Sequence, residues 1–150
     1  MYFDKSIALF HRHAKDQKTV FDLLSAEFLK DDLVTDEFRK KVEERELVFP
    51  TGLSIDGMGV AIPHTDSIYV KRSQIGFMSL TEAVNFKEMG SGENVEVQLV
   101  FMLALKEPHE QLEMLQKLVA MFQNPGVLDQ LKRIKTQSEL SEILLKNGLK

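Results

Sequence analysis

The chain has 150 residues, 43% of them hydrophobic and 28% charged, with a formal net charge of −4. That is the length and composition of one globular domain, able to bury about 70% of the surface its unfolded form would expose. Mild acidity lacks the basic excess of non-specific nucleic-acid binders, and the absence of cysteine excludes disulfides, thiolate catalysis and cysteine-ligated metal.

No uncharged run approaches the ~18–20 residues that a membrane-spanning helix needs, and Val97 to Leu105 is among the longest. The opening segment, MYFDKSIALFHRHAKD, is broken by charges and reads as folded protein rather than a leader. The expected location is therefore the cytosol. There is no internal repeat, and the prolines and glycines form no linker, so one domain over residues 1–150 is expected.

Ile7 to Phe10 is a short apolar run that predicts a strand. Val20, Phe21, Leu24, Phe28 and Leu29 recur at helical spacing and predict a helix from about Asp16 to Lys30. Thr35 precedes Asp36-Glu37-Phe38 and is read as the N-cap of a second helix ending near Glu46. The next stretch, VFPTGLSIDGMGVAIPHTDS, is rich in turn formers. Within it Val60-Ala61-Ile62 reads as a very short buried strand stopped by Pro63, which lacks a ladder donor.

Ile75 to Leu80 predicts a strand, and Val84 to Phe86 a separate extended piece. Val95 to Leu105 is almost continuously apolar, as an interior strand covered on both faces would be. From Pro108 the pattern turns helical: Leu112, Leu115, Leu118, Val119 and Phe122 share a face until Asn124-Pro125-Gly126. Two shorter helices follow, around Val127–Ile134 and Leu140–Leu144. The expected architecture is α/β: a central mixed, mostly parallel sheet with helices on both faces.

His64 lies just past a strand end in a glycine-rich loop, where α/β sheets usually bind ligands. Imidazole suits phosphoryl, proton and metal chemistry because its pKa is ~6.5. On the residues alone, a turn histidine bonded to backbone is the favoured reading. His11 and His13 would share a strand face, but no further ligand is fixed beside them, so they read as a surface pair. Gly57 and Gly59 form no nucleotide fingerprint, and Met102, Met114 and Met121 fall on core patterns.

Arg45-Glu46, Phe49-Pro50-Thr51-Gly52-Leu53 and Val60-Ala61-Ile62-Pro63-His64 together resemble the enzyme IIA domains of the phosphoenolpyruvate-dependent sugar phosphotransferase system. The likeness is to the fructose–mannitol class, and most closely to galactitol-type IIA, over most of the chain. It implies the mannitol-type IIA fold. It also implies that His64 accepts a phosphoryl group from the phosphorylated carrier HPr and passes it to a cysteine of a separate IIB protein, upstream of a membrane IIC subunit. Arg45 matches the family's active-site arginine, whose planar fork suits phosphate oxygens. Without the resemblance, Arg45 reads as a solvated residue in the last turn of a helix. No cofactor, metal, nucleic acid or membrane insertion is implied.

Two departures bear on the site. Many relatives carry a second histidine at the start of the late helix; apolar spacing places Gln111 there, with His109 two residues earlier as a possible helper. An amide donates hydrogen bonds to phosphate but cannot become a cation. Thr65 follows the motif histidine where small residues are common, and its hydroxyl suits either a phosphate oxygen or a turn. Asp66 would oppose phosphate, so it reads as a turn former. Phe49, Leu53, Met58 and Met89 are candidates for an apolar docking patch around His64. The main expectation is a carrier feeding sugar or alditol uptake of the galactitol kind. The alternative is a regulatory module of the same fold that senses phosphorylation state and feeds no permease.

Overall fold

The computed structural model describes residues 1–150. Its first strand, β1 (Ala8–Arg12), leads into helix α1 (Gln17–Lys30). Asp16 caps α1: its side chain accepts from the Thr19 amide at 2.8 Å, satisfying a first-turn donor. Val20, Phe21, Leu24 and Phe28 then line the buried face, as their spacing requires.

Helix α2 (Phe38–Val48) begins differently from expectation. Glu37 occupies the cap position without a side-chain bond, and Thr35 sits two residues earlier. Thr35 is held instead by its backbone, donating to Tyr69 and accepting from Phe38. α2 also runs past Glu46 to Val48, which puts Arg45 in its last turn.

The turn-rich stretch contains a hairpin that the sequence reading missed in half. Strand β2 (Gly52–Ile55) pairs antiparallel with β3 (Met58–Ala61), and Ile55 lies opposite Met58. Only Asp56 and Gly57 connect them, both at positive φ (49° and 82°), which suits a two-residue turn. β3 begins earlier than Val60 and ends at Ala61.

Strand β4 (Gln74–Lys87) joins the two expected segments into one. A bulge separates its Ser79↔Leu99 and Val84↔Val97 pairings with β5 (Asn94–Ala104). Helices α3 (Pro108–Phe122), α4 (Val127–Arg133) and α5 (Gln137–Lys146) close the chain.

The five strands order as β1-β4-β5-β3-β2. The sheet is mixed with helices on both faces, as expected, but it is not mostly parallel. β1–β4 and β3–β5 are parallel, while β4–β5 and β2–β3 are antiparallel, because short connections force each of the latter pairs to reverse. Strand β5 explains its own apolar run. Leu99, Phe101 and Leu103 face one core with α3, α4 and α5 residues, while Val100, Met102 and Ala104 face the other with α1 and α2 residues.

A candidate phosphoryl-acceptor site at one sheet edge

The topology gathers three segments at one edge. β3 and β5 run parallel, so the loop after β3 and the start of α3 both emerge at their C-terminal ends. β2 runs antiparallel to β3, so its start, just after α2, lies at that same edge. His64, Gln111 and Arg45 come from these three segments respectively.

His64 extends the β3–β5 ladder by one bridge to Leu103, and the Leu103 amide donates to the Pro63 carbonyl at 2.9 Å. His64 as a whole residue is only 7% exposed. Its Nδ1 is 2.9 Å from the Ile62 carbonyl oxygen. A carbonyl can only accept, so Nδ1 carries the proton and Nε2 keeps its lone pair. Burial, and then the nearby Arg45 charge, push the ring's pKa down and favour the neutral form. A buried neutral imidazole with one free nitrogen is a nucleophile poised near neutral pH.

Arg45 leans over the Phe49 ring, with its guanidinium carbon 5.0 Å from the ring centroid. Nη1 lies 3.6 Å from Oδ1 of Asp66, a loose ion pair. Its Nε is enclosed and has no hydrogen-bond partner. A buried unpaired donor is unusual enough to suggest a group whose acceptor arrives with a ligand. Arg45, Phe49, Thr65 and Asp66 line one side of a shallow depression of about 280 Å³.

Gln111 donates from Nε2 to the Thr65 carbonyl at 2.9 Å, tying the first turn of α3 to the residue after His64. Thr65 is buried, and its backbone makes this link. His109 is exposed in the same turn. Glu110 completes a capping box with Glu107 and also accepts from Tyr2 and Ser73. The structure thus joins Gln111, but not His109, by a hydrogen bond to the loop carrying His64.

Other sequence candidates sit elsewhere. His11 is an exposed residue of β1 whose amide donates to Ser79 Oγ at 2.8 Å, and its Nε2 is 2.9 Å from the Ile134 carbonyl beyond α4. His13 lies beyond the end of β1, so the two do not share a strand face. Of the proposed docking residues, Phe49 (59%) and Met89 (44%) are exposed, whereas Leu53 and Met58 pack against the core.

Three contributors escaped the sequence reading. One is the Ile62 carbonyl. Another is Asp66 as a partner of Arg45. The third is Glu46, which is buried and accepts from the Thr51 amide and hydroxyl at 2.7 and 2.8 Å. The Arg45–Phe49 contact carried a usable signal, since residues four apart on a helix meet.

The fold is that of an α/β domain of the mannitol-IIA type. Its fold matches a chain of the solved complex of enzyme IIAMTL and phosphorylated enzyme IIBMTL from Escherichia coli, with a TM-score of 0.75 at 20% identity, over 93% of this chain and 94% of that one. It also matches the nitrogen regulatory protein IIA-Ntr from Neisseria meningitidis, with a TM-score of 0.73 at 26% identity and the same coverage of each chain. In sequence, it is 30% identical over 131 residues to the PTS system galactitol-specific EIIA component of Escherichia coli, 87% of either chain. Residues 1–147 match the family described as phosphoenolpyruvate-dependent sugar phosphotransferase system, EIIA 2. The chain belongs to that family and is a IIA-type phosphotransferase component.

Proposed function

We propose that residues 1–150 form one IIA unit in which His64 takes a phosphoryl group from phospho-HPr and passes it to a cysteine thiolate of a separate IIB protein, for alditol uptake of the galactitol kind through a membrane IIC subunit. The observation that carries this reading is the single hydrogen bond from His64 Nδ1 to Ile62, which leaves Nε2 free. In the first transfer the Nε2 lone pair forms an N–P bond as the donor's N–P bond breaks, and the donor imidazole keeps that electron pair. Nδ1 retains its proton, so the phosphorylated ring is formally cationic and remains tied to the Ile62 carbonyl. In the second transfer the thiolate forms an S–P bond and the electron pair returns to Nε2.

Arg45 supports the charge on the phosphoryl oxygens with its paired N–H groups. Gln111 positions the loop and offers a second amide proton, Thr65 offers a hydroxyl, and His109 is placed to add charge in the same helical turn. The α3 N-terminus adds a dipole that favours anions. Exposed Phe49 beside Arg45, Met89 across from Phe49, and Leu112 next to Gln111 in the chain make an apolar rim suited to brief docking of both partners. The working location is the cytoplasm, and no helix here is long and apolar enough to cross a membrane.

Incubation with labelled phospho-HPr is expected to label the wild type and not His64→Ala. Label retained by that variant would contradict the assignment. The likeness to IIA-Ntr keeps a regulatory role as the second reading. Rapid onward transfer to a sugar-specific IIB cysteine favours transport, and its absence with every such IIB favours regulation.

A further inference from the structure

Asp66 has no place in the transfer described above, yet it is the only carboxylate paired with Arg45. We propose that Asp66 is a positioning residue that competes with the phosphoryl group for Arg45 and so keeps phospho-His64 ready to give the group away. The inference rests on the reading of His64 as a phosphoryl carrier.

The geometry supports competition rather than permanent pairing. Asp66 Oδ1 and Arg45 Nη1 are 3.6 Å apart, too long for a good hydrogen bond, and the two side chains are 69% and 35% exposed. Arg45 has five N–H donors, and its enclosed Nε finds no partner. A second support, the Phe49 ring at 5.0 Å, holds the guanidinium without occupying its donors. The arginine is therefore held in place but weakly paired. A phosphoryl dianion on Nε2 brings more charge than one carboxylate and several acceptor oxygens, so it wins the guanidinium.

Asp66 then loses its guanidinium partner, and the loss of that pairing disfavours the phosphorylated state. No bond forms or breaks at Asp66. It acts only by making the phosphorylated state less comfortable than Arg45 alone would make it. A carrier must release its cargo, so weaker holding favours onward transfer.

The test uses the full chain equilibrated with HPr and phospho-HPr at a fixed ratio, with phospho-His64 read by phosphorus NMR. Asp66→Asn is expected to raise the ratio of phosphorylated to free protein by roughly threefold to tenfold at low salt. The gap is expected to shrink as salt is raised toward ~1 M, because the charges are exposed. Asp66→Glu is expected to restore the wild-type ratio. In an Arg45→Ala background the effect of Asp66→Asn is expected to fall below about twofold, since it acts through Arg45. A phosphorylated wild type with an unchanged or lowered ratio in Asp66→Asn overturns the inference while leaving the carrier reading intact, and so does a gap that survives in the Arg45→Ala background. A wild type that takes no phosphoryl group overturns the carrier reading, and this inference with it.

Discussion

At the residue scale, the chemistry depends on which groups are neutral and which atoms are spoken for. His64 is kept neutral by burial and committed through Nδ1. Its neighbour in function, Arg45, is braced from below by the residue that follows it. Glu46 is buried and tied to Thr51, which anchors the segment bearing Phe49. Burial pushes its carboxyl up from an ordinary 4.5 to about 7, against the Thr51 hydrogen bonds that pull it down. A carboxyl raised in the folded state leaves stability undiminished below about 4.5 and erodes it as pH rises toward 7. Glu46→Gln keeps one acceptor and one donor, as the protonated acid does. Between pH 4.5 and pH 8 the wild type is expected to lose about 3 kcal/mol relative to Glu46→Gln, read by urea unfolding at each pH. A difference that stays constant with pH would contradict the burial account.

At the element scale, what places His64 is the close approach of β3 to β5. A Cβ on Gly59 would overlap the Glu96 carbonyl oxygen and press on Val95. Gly57, at φ 82°, has open space around it and needs glycine only for its backbone angle. Gly57→Ala is expected to cost about 1 kcal/mol and leave phosphorylation intact. Gly59→Ala is expected to cost on the order of 3 kcal/mol and to slow phosphorylation, because it forces β3, and with it His64, away from Leu103. Thermal unfolding and labelling by phospho-HPr check both, and equal effects of the two variants would contradict this view. Much of this was legible beforehand. The helical spacing in α1, the two-faced apolar run of β5 and the Ala61-Ile62-Pro63-His64 string all pointed correctly. β2 was hidden because Pro50 and Gly52 outweighed a short alternation. Asp56-Gly57 between Ile55 and Met58 was the hairpin signal to use. The Thr35 cap failed because tertiary pairing with Tyr69 claimed that segment's backbone. The Ile62 carbonyl and the Arg45–Asp66 pair were beyond reach. One depends on backbone direction after a strand, the other on two segments that meet only in the fold.

At the scale of the whole molecule, the mixed sheet brings the end of α2, the loop after β3 and the start of α3 to one edge. An arginine, a neutral histidine and an amide-bearing helix start thereby converge, although they lie far apart in sequence. The two cores on either side of β5 hold that edge without contributing to its chemistry. None of these 150 residues is a cysteine, so the next acceptor of the proposed relay lies outside them. Exposed Phe49, Met89 and Leu112 around the site fit that need. The central claim is that the phosphoryl group rides on Nε2 of His64 while Nδ1 keeps its proton. The most direct measurement is phosphorus-coupled nitrogen NMR of the protein carrying labelled histidine, after phosphorylation by phospho-HPr. Coupling of phosphorus to Nε2 of His64, with Nδ1 still protonated, is the expected result. Coupling to Nδ1, or to His11, His13 or His109, would contradict it.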